Sequence, residues 1–102
     1  MTRYGSVIGL SEEGKADYLA LHAAVWPAVL AKISDCHIRN YSIFLKEPEN
    51  LLFSYFEYHG SDFAADMARM AADPETQAWW AVNKPLQRPL DSRRDGEWWA
   101  DM

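Results

Sequence analysis

The segment HIRNYSIFLKEPENLLFSYFEY, residues 37–58, decides the fold. It reads as two strands joined by a short polar loop. His37 to Leu45 alternates, with His37, Arg39, Tyr41, Ile43 and Leu45 on one face and Ile38, Asn40, Ser42 and Phe44 on the other. From Leu51 to Tyr58, Leu51, Phe53, Tyr55 and Glu57 oppose Leu52, Ser54, Phe56 and Tyr58. Between them Lys46-Glu47-Pro48-Glu49-Asn50 is short enough for a hairpin.

Working outward, Arg3 to Leu10 reads as a further strand, in which Gly5 and Gly9 mark a bulge or a close approach. Ser11 is a good N-cap, and Glu12 and Glu13 complement the dipole of a helix that runs to about Ser34. Pro27 lies inside that helix and is expected to kink it near Ala23. On the other side of the hairpin, Ser61 or Asp62 caps a helix carrying Phe63, Met67 and Met70. Asp73-Pro74-Glu75 restarts it with a cap, a proline at the first helical position and an acid in the first turn. This last helix carries Trp79-Trp80 and ends before Pro85, and the stretch from Leu86 to Gly96 is rich in turn residues.

The order β-α-β-β-α predicts an α+β fold of the ferredoxin-like split βαβ kind, lacking its last strand, as one domain over residues 1–102. Its antiparallel sheet has helices on one face. The other face is rich in apolar and aromatic residues, and a homodimer is the economical way to cover it.

Composition narrows the function. Aromatic residues make up 14% of the chain, with five Trp among 102 residues, more than a small core needs, so some should line a pocket or an interface. A net charge of −5, with Arg88, Arg93 and Arg94 as the only basic cluster, argues against nucleic acid as a partner. Cys36 is alone, which leaves no disulfide framework and no CxxC metal site. There is no phosphate-binding glycine loop, nucleophile elbow or HExxH spacing. Without an apolar signal core or a run long enough to span a membrane, a cytoplasmic protein is expected.

One stretch of the first helix offers chemistry. Tyr18, His22 and Trp26 recur at i, i+4 and i+8, so on an unbroken helix they stack along one face, drifting by about 40° per step. The stripe reads in two ways. It is either core, with His22 neutral and hydrogen-bonded, or a proton carrier flanked by aromatic faces. His37 and His59 read as surface or strand-end residues, Cys36 as a small buried hydrophobe, and Trp98 and Trp99 as interface packing.

Four motifs occur in order: Tyr18-x-x-x-His22-x-x-x-Trp26-Pro27, Asn40-Tyr41-Ser42-Ile43, Asn50-Leu51-Leu52-Phe53 and Trp79-Trp80. Together they resemble the L-rhamnose mutarotase family over roughly Arg3 to Trp80. The resemblance implies a dimeric α+β barrel-type assembly of ferredoxin-like subunits. It also implies interconversion of the α and β anomers of a 6-deoxy sugar, without a cofactor or metal. It makes His22 the proton donor and Tyr18, Tyr41, Trp79 and Trp80 the sugar contacts. Members usually continue into a short final strand, whereas this sequence stops at Met102.

The chemistry suits these residues. Mutarotation moves two protons, one onto the ring oxygen and one off the anomeric hydroxyl. Histidine titrates near the working pH. Indole and phenol rings cover the C–H faces and methyl group of a 6-deoxy sugar while polar groups take its hydroxyls. Trp79 and Trp80 lie about 100° apart on a helix, so at most one is expected to face a given pocket. L-Rhamnose is the family's default substrate, and L-fucose differs only in hydroxyl orientation. Two other readings fit an aromatic pocket with a histidine: a small monooxygenase or haem-degrading enzyme of related fold, and a non-catalytic sugar-binding domain.

Overall fold

The hairpin forms. In a computed structural model describing residues 1–102, β1 (Thr2–Leu10), α1 (Lys15–Ala23) and α2 (Pro27–Asp35) precede β2 (Ile38–Lys46) and β3 (Leu51–Tyr58). Beyond them lie α3 (Phe63–Ala72), α4 (Pro74–Asn83), a 3-10 turn (Lys84–Leu86), β4 (Gln87–Arg88) and β5 (Ala100–Asp101). The hairpin strands pair from Lys46 opposite Leu51 to Ile38 opposite Tyr58. β1 lies antiparallel on the other side of β3, from Thr2 opposite Tyr58 to Gly9 opposite Leu51. The sheet order is β2-β3-β1-β4.

Two short segments occupy the edge where a final strand was expected to be missing. β4 sets Gln87 and Arg88 opposite Leu10 and Gly9, and β5 sets Ala100 and Asp101 opposite Val7 and Ser6. Gly9 has to be glycine for this. A Cβ there would come within 2.6 Å of the Arg88 carbonyl oxygen, so no side chain fits without moving β4.

The helices cover one face of the sheet. Ile8, Leu10 and Leu52 close around Tyr18 of α1, while Ile38 packs with Cys36 and Met70. Asp62 and Asp73 cap α3 and α4 through the amides of Ala65 and Thr76, with Pro74 at the first helical turn, as their sequence signals require.

Two features depart from the sequence expectation. The helix expected to run on to Ser34 with a kink is instead two helices. Ala24 leaves the helical region (φ −143°, ψ 65°), and Trp26 is extended at ψ 132°. The residue before a proline is pushed out of the α region by the ring, and a proline at N1 loses no hydrogen bond. Pro27 therefore starts α2 rather than bending α1. Ser11 caps a turn instead of the helix, accepting the Gly14 amide at 2.9 Å.

The second departure is a bulge in β2. Arg39 pairs with Glu57 and Ser42 with Tyr55, so Asn40 and Tyr41 together oppose the single residue Phe56. Asn40 takes up the extra residue at φ 53°. A bulge resets the alternation. Tyr41 and Ile43 thus join Ile38 on the helix side, rather than sharing a face with His37 and Arg39 as strict alternation required.

Asn tolerates the left-handed region and a β-branched residue does not. Asn40→Val is expected to destabilise the fold by about 1–2 kcal/mol, whereas Asn40→Gly keeps the backbone conformation. Urea unfolding midpoints of the two variants check this.

Candidate active site

Half of the chain's aromatic residues, four of the five tryptophans among them, line one cavity of about 570 Å³ between the helices and the sheet. Tyr18, in the second turn of α1, is only 2% exposed. One turn later His22 stacks on it, with ring centroids 4.0 Å apart and planes at 23°. Trp79 of α4 approaches His22 at 5.2 Å, and Trp26 meets Trp79 edge-on at 5.1 Å. The break before Pro27 takes Trp26 off the α1 face that Tyr18 and His22 share. It braces Trp79 from behind and does not line the cavity.

The His22 tautomer follows from its one hydrogen bond. Nδ1 lies 3.0 Å from the Tyr18 carbonyl oxygen. A carbonyl only accepts, so Nδ1 carries the proton and donates, and the neutral ring keeps its lone pair on Nε2. Burial pulls the His22 pKa below its ordinary value, against the carbonyl bond, which favours the protonated ring. Of these two effects burial is the larger. The Tyr18 hydroxyl has no hydrogen-bond partner in the chain. Burial pushes that phenol far up, with Tyr41 adding to the shift and the Gln87 amide opposing it. At neutral pH the pair is thus an imidazole free to accept a proton and a phenol that keeps its own.

Tyr41 and Trp80 line the same cavity as Tyr18, His22 and Trp79. Tyr41 is 43% exposed at its rim, with its ring 5.5 Å from that of Phe56. Both tryptophans of α4 reach the cavity, against the expectation that only one would. The cavity extends from α1 and α2 across to α3, so side chains about 100° apart on α4 meet different parts of it. Trp98 and Trp99, expected at an interface, line it too. Trp98 donates its indole N–H to Gln87 Oε1 at 2.7 Å. The pairing of β5 with β1 returns this irregular segment to the site, and only the surplus of aromatic residues hinted at that.

Sequence reading also missed Asn83, Thr76, Lys84 and Gln87 in the lining. Asn83 was within reach of a spacing argument, since it lies four residues after Trp79 on one helix. Lys84 is the only formally charged residue in the wall, and its ammonium lies 5.8 Å from the Trp80 ring and 5.6 Å from the Trp98 ring. His37 and His59 stay outside, bonded to Asp66 and Glu57. No three His, Cys, Asp or Glu side chains are grouped to hold a metal ion, and no helix is long and apolar enough to cross a membrane. A mostly apolar wall with a few convergent polar groups fits a small amphipathic ligand.

Nitrogen-detected NMR of His22 is expected to show the Nδ1–H tautomer and a titration midpoint below 6.5. A midpoint above that value would mean that a negative charge, and not burial, governs the ring.

Comparison with known proteins points to one family. A family model described as L-rhamnose mutarotase matches residues 3–102. A protein of Oceanobacillus iheyensis named L-rhamnose mutarotase is 30% identical over 86% of this chain and 82% of its own. Another of that name, from Mannheimia succiniciproducens, is 32% identical over 84% and 80%. The crystal structure of an L-rhamnose mutarotase from Formosa agariphila shares the fold, with a TM-score of 0.72 at 22% identity, over 89% of this chain and 84% of that one.

Proposed function

The chain belongs to the L-rhamnose mutarotase family, isomerases acting on sugar anomers, and we propose that it interconverts the α and β anomers of L-rhamnose with His22 as the proton carrier. The observation that carries this reading is the free Nε2 of a neutral His22, in an aromatic cavity beside an unpartnered Tyr18 hydroxyl.

The two pKa shifts divide the work. His22 begins as the base: Nε2 takes the proton of the anomeric hydroxyl, the C1–oxygen bond of the ring breaks, and its electrons leave on the ring oxygen as the aldehyde forms. That oxygen takes a proton from the imidazolium or from water in the cavity. Tyr18 holds its own proton too tightly to transfer it, so it stabilises the leaving oxygen by donating a hydrogen bond. Rotation about C1–C2 exposes the other face of the aldehyde, and closure reverses the steps, with the imidazolium as acid. The indoles of Trp79 and Trp80 and the Tyr41 ring cover the sugar's C–H faces and methyl group. L-Fucose presents the same methyl with a different hydroxyl pattern.

His22→Ala is expected to slow anomer exchange at least about tenfold, the lower range for a positioned acid–base group, while sugar binding persists. Tyr18→Phe should lower the rate with little loss of stability, since the ring still packs. NMR exchange between anomeric protons, after subtraction of the spontaneous rate, reads both. A His22→Ala rate equal to wild type would make a passive sugar-binding domain the better reading.

The outer sheet face supports a homodimer. Phe44 is 62% exposed there, opposite Phe53 in the hairpin register, with Val7 next across β3. A second copy laid on this face would bury that apolar surface. Sedimentation is expected to give a dimer that Phe44→Glu dissociates, and a wild-type monomer at micromolar concentration would refute it.

A further inference from the structure

Among the polar groups around the cavity, one is fixed in place and has nothing to bond. Asn83 ends α4 and is 4% exposed. Its Nδ2–H donates to the Trp79 carbonyl oxygen at 2.8 Å. Turning the amide over would set two carbonyl oxygens against each other, so the assignment of nitrogen and oxygen is forced by chemistry. That bond holds Oδ1 as an acceptor, and Oδ1 has no partner in the chain. A buried acceptor left unpaired is destabilising, and native proteins rarely keep one without a use.

Resting on the reading above, we propose that Asn83 is a specificity-determining residue, whose Oδ1 accepts the O–H of one non-anomeric hydroxyl of the sugar. An acceptor is satisfied only by a donor. A ring oxygen, a methyl group or a C–H face presented at this point leaves the amide as unpaired as before, so the site selects a hydroxyl there. The requirement complements that of Tyr18, whose protonated hydroxyl donates. It is also geometrically strict, because the bond to the Trp79 backbone leaves the amide no freedom to follow a misplaced hydroxyl. Sites built to bond a substrate hydroxyl discriminate against analogues lacking it far better than apolar pockets discriminate by size. Trp79, which faces His22, supplies the carbonyl that locks Asn83, so the acceptor and the proton carrier are held in register by the same turn of α4.

The test pairs a variant with analogues. Asn83→Leu removes the acceptor at nearly constant volume. Wild type and variant are compared on L-rhamnose and on each monodeoxy analogue that lacks one non-anomeric hydroxyl. Anomer exchange by NMR gives kcat/KM, and quenching of tryptophan fluorescence gives binding. Wild type is expected to lose about tenfold or more in kcat/KM on one particular analogue. Asn83→Leu should lose a similar factor on L-rhamnose and nothing further on that analogue. Losses that simply multiply, or an Asn83→Leu protein as good as wild type on L-rhamnose, would overturn the proposal. If Asn83→Leu does not fold by circular dichroism, Asn83→Ala takes its place in the same comparison, with the same outcomes. Non-additive loss in binding without anomer exchange in wild type would uphold the Asn83 assignment and discard the mutarotase reading. Absence of both binding and exchange would discard both.

Discussion

Pro27 has no amide hydrogen, and its ring disfavours a helical conformation for the preceding residue. Everything on the helical side of the sheet is arranged around that constraint. One straight helix from the first strand to the second would lay Tyr18, His22 and Trp26 along a single ridge. Broken at Ala24, the segment becomes two helices of nine residues each. Trp26 is freed to pack against Trp79, and Trp79 is held against His22. Space opens between α1, α2 and the sheet, and the aromatic side chains wall it.

The elements set by local rules were legible. Both hairpin strands, the cap at Asp73 and the helical first turn at Pro74 follow from patterns spanning a few residues, while Ser61 and Asp62 both fitted the start of α3 and the structure uses Asp62. The sequence also exposed Tyr18 and His22 as neighbours, because four residues of helix leave little freedom. What could not be read depended on choices between alternatives of similar local energy. A proline inside a helical pattern either kinks the helix or restarts it, and tertiary packing of Trp26 decides. An asparagine in a strand either keeps the alternation or takes the left-handed region. Asn40 did the latter, which moved Tyr41 to the cavity side. Trp98 and Trp99 belong to no periodic element, and their position depends on a two-residue strand pairing with a partner more than ninety residues away in sequence.

The cavity wall holds no carboxylate. A carboxylate beside His22 would raise its pKa and favour the imidazolium at rest. The chain's one well-buried carboxylate, that of Asp66, is placed elsewhere. Tyr58 donates its hydroxyl to it, Arg69 donates two N–H bonds at 3.2 and 2.8 Å, and His37 lies 2.9 Å away. These partners, Tyr58 foremost, hold its pKa well below the carboxylate range, so it stays ionised.

That cluster serves the site from a distance. Asp66 is on α3, His37 precedes β2, Tyr58 ends β3, and Arg69 reaches back to Asp35 at the end of α2 with a 2.9 Å bond. Four elements are tied at one end of the sheet by directional, charge-assisted bonds. Met67 and Met70, which form part of the cavity wall, are on the same helix as Asp66 and are held by it. Methionine is the most deformable apolar side chain and positions little by itself. A wall containing it needs its backbone fixed by something stiffer. The ion cluster supplies that stiffness on the outside, and no carboxylate on the inside opposes the burial that lowers the His22 pKa.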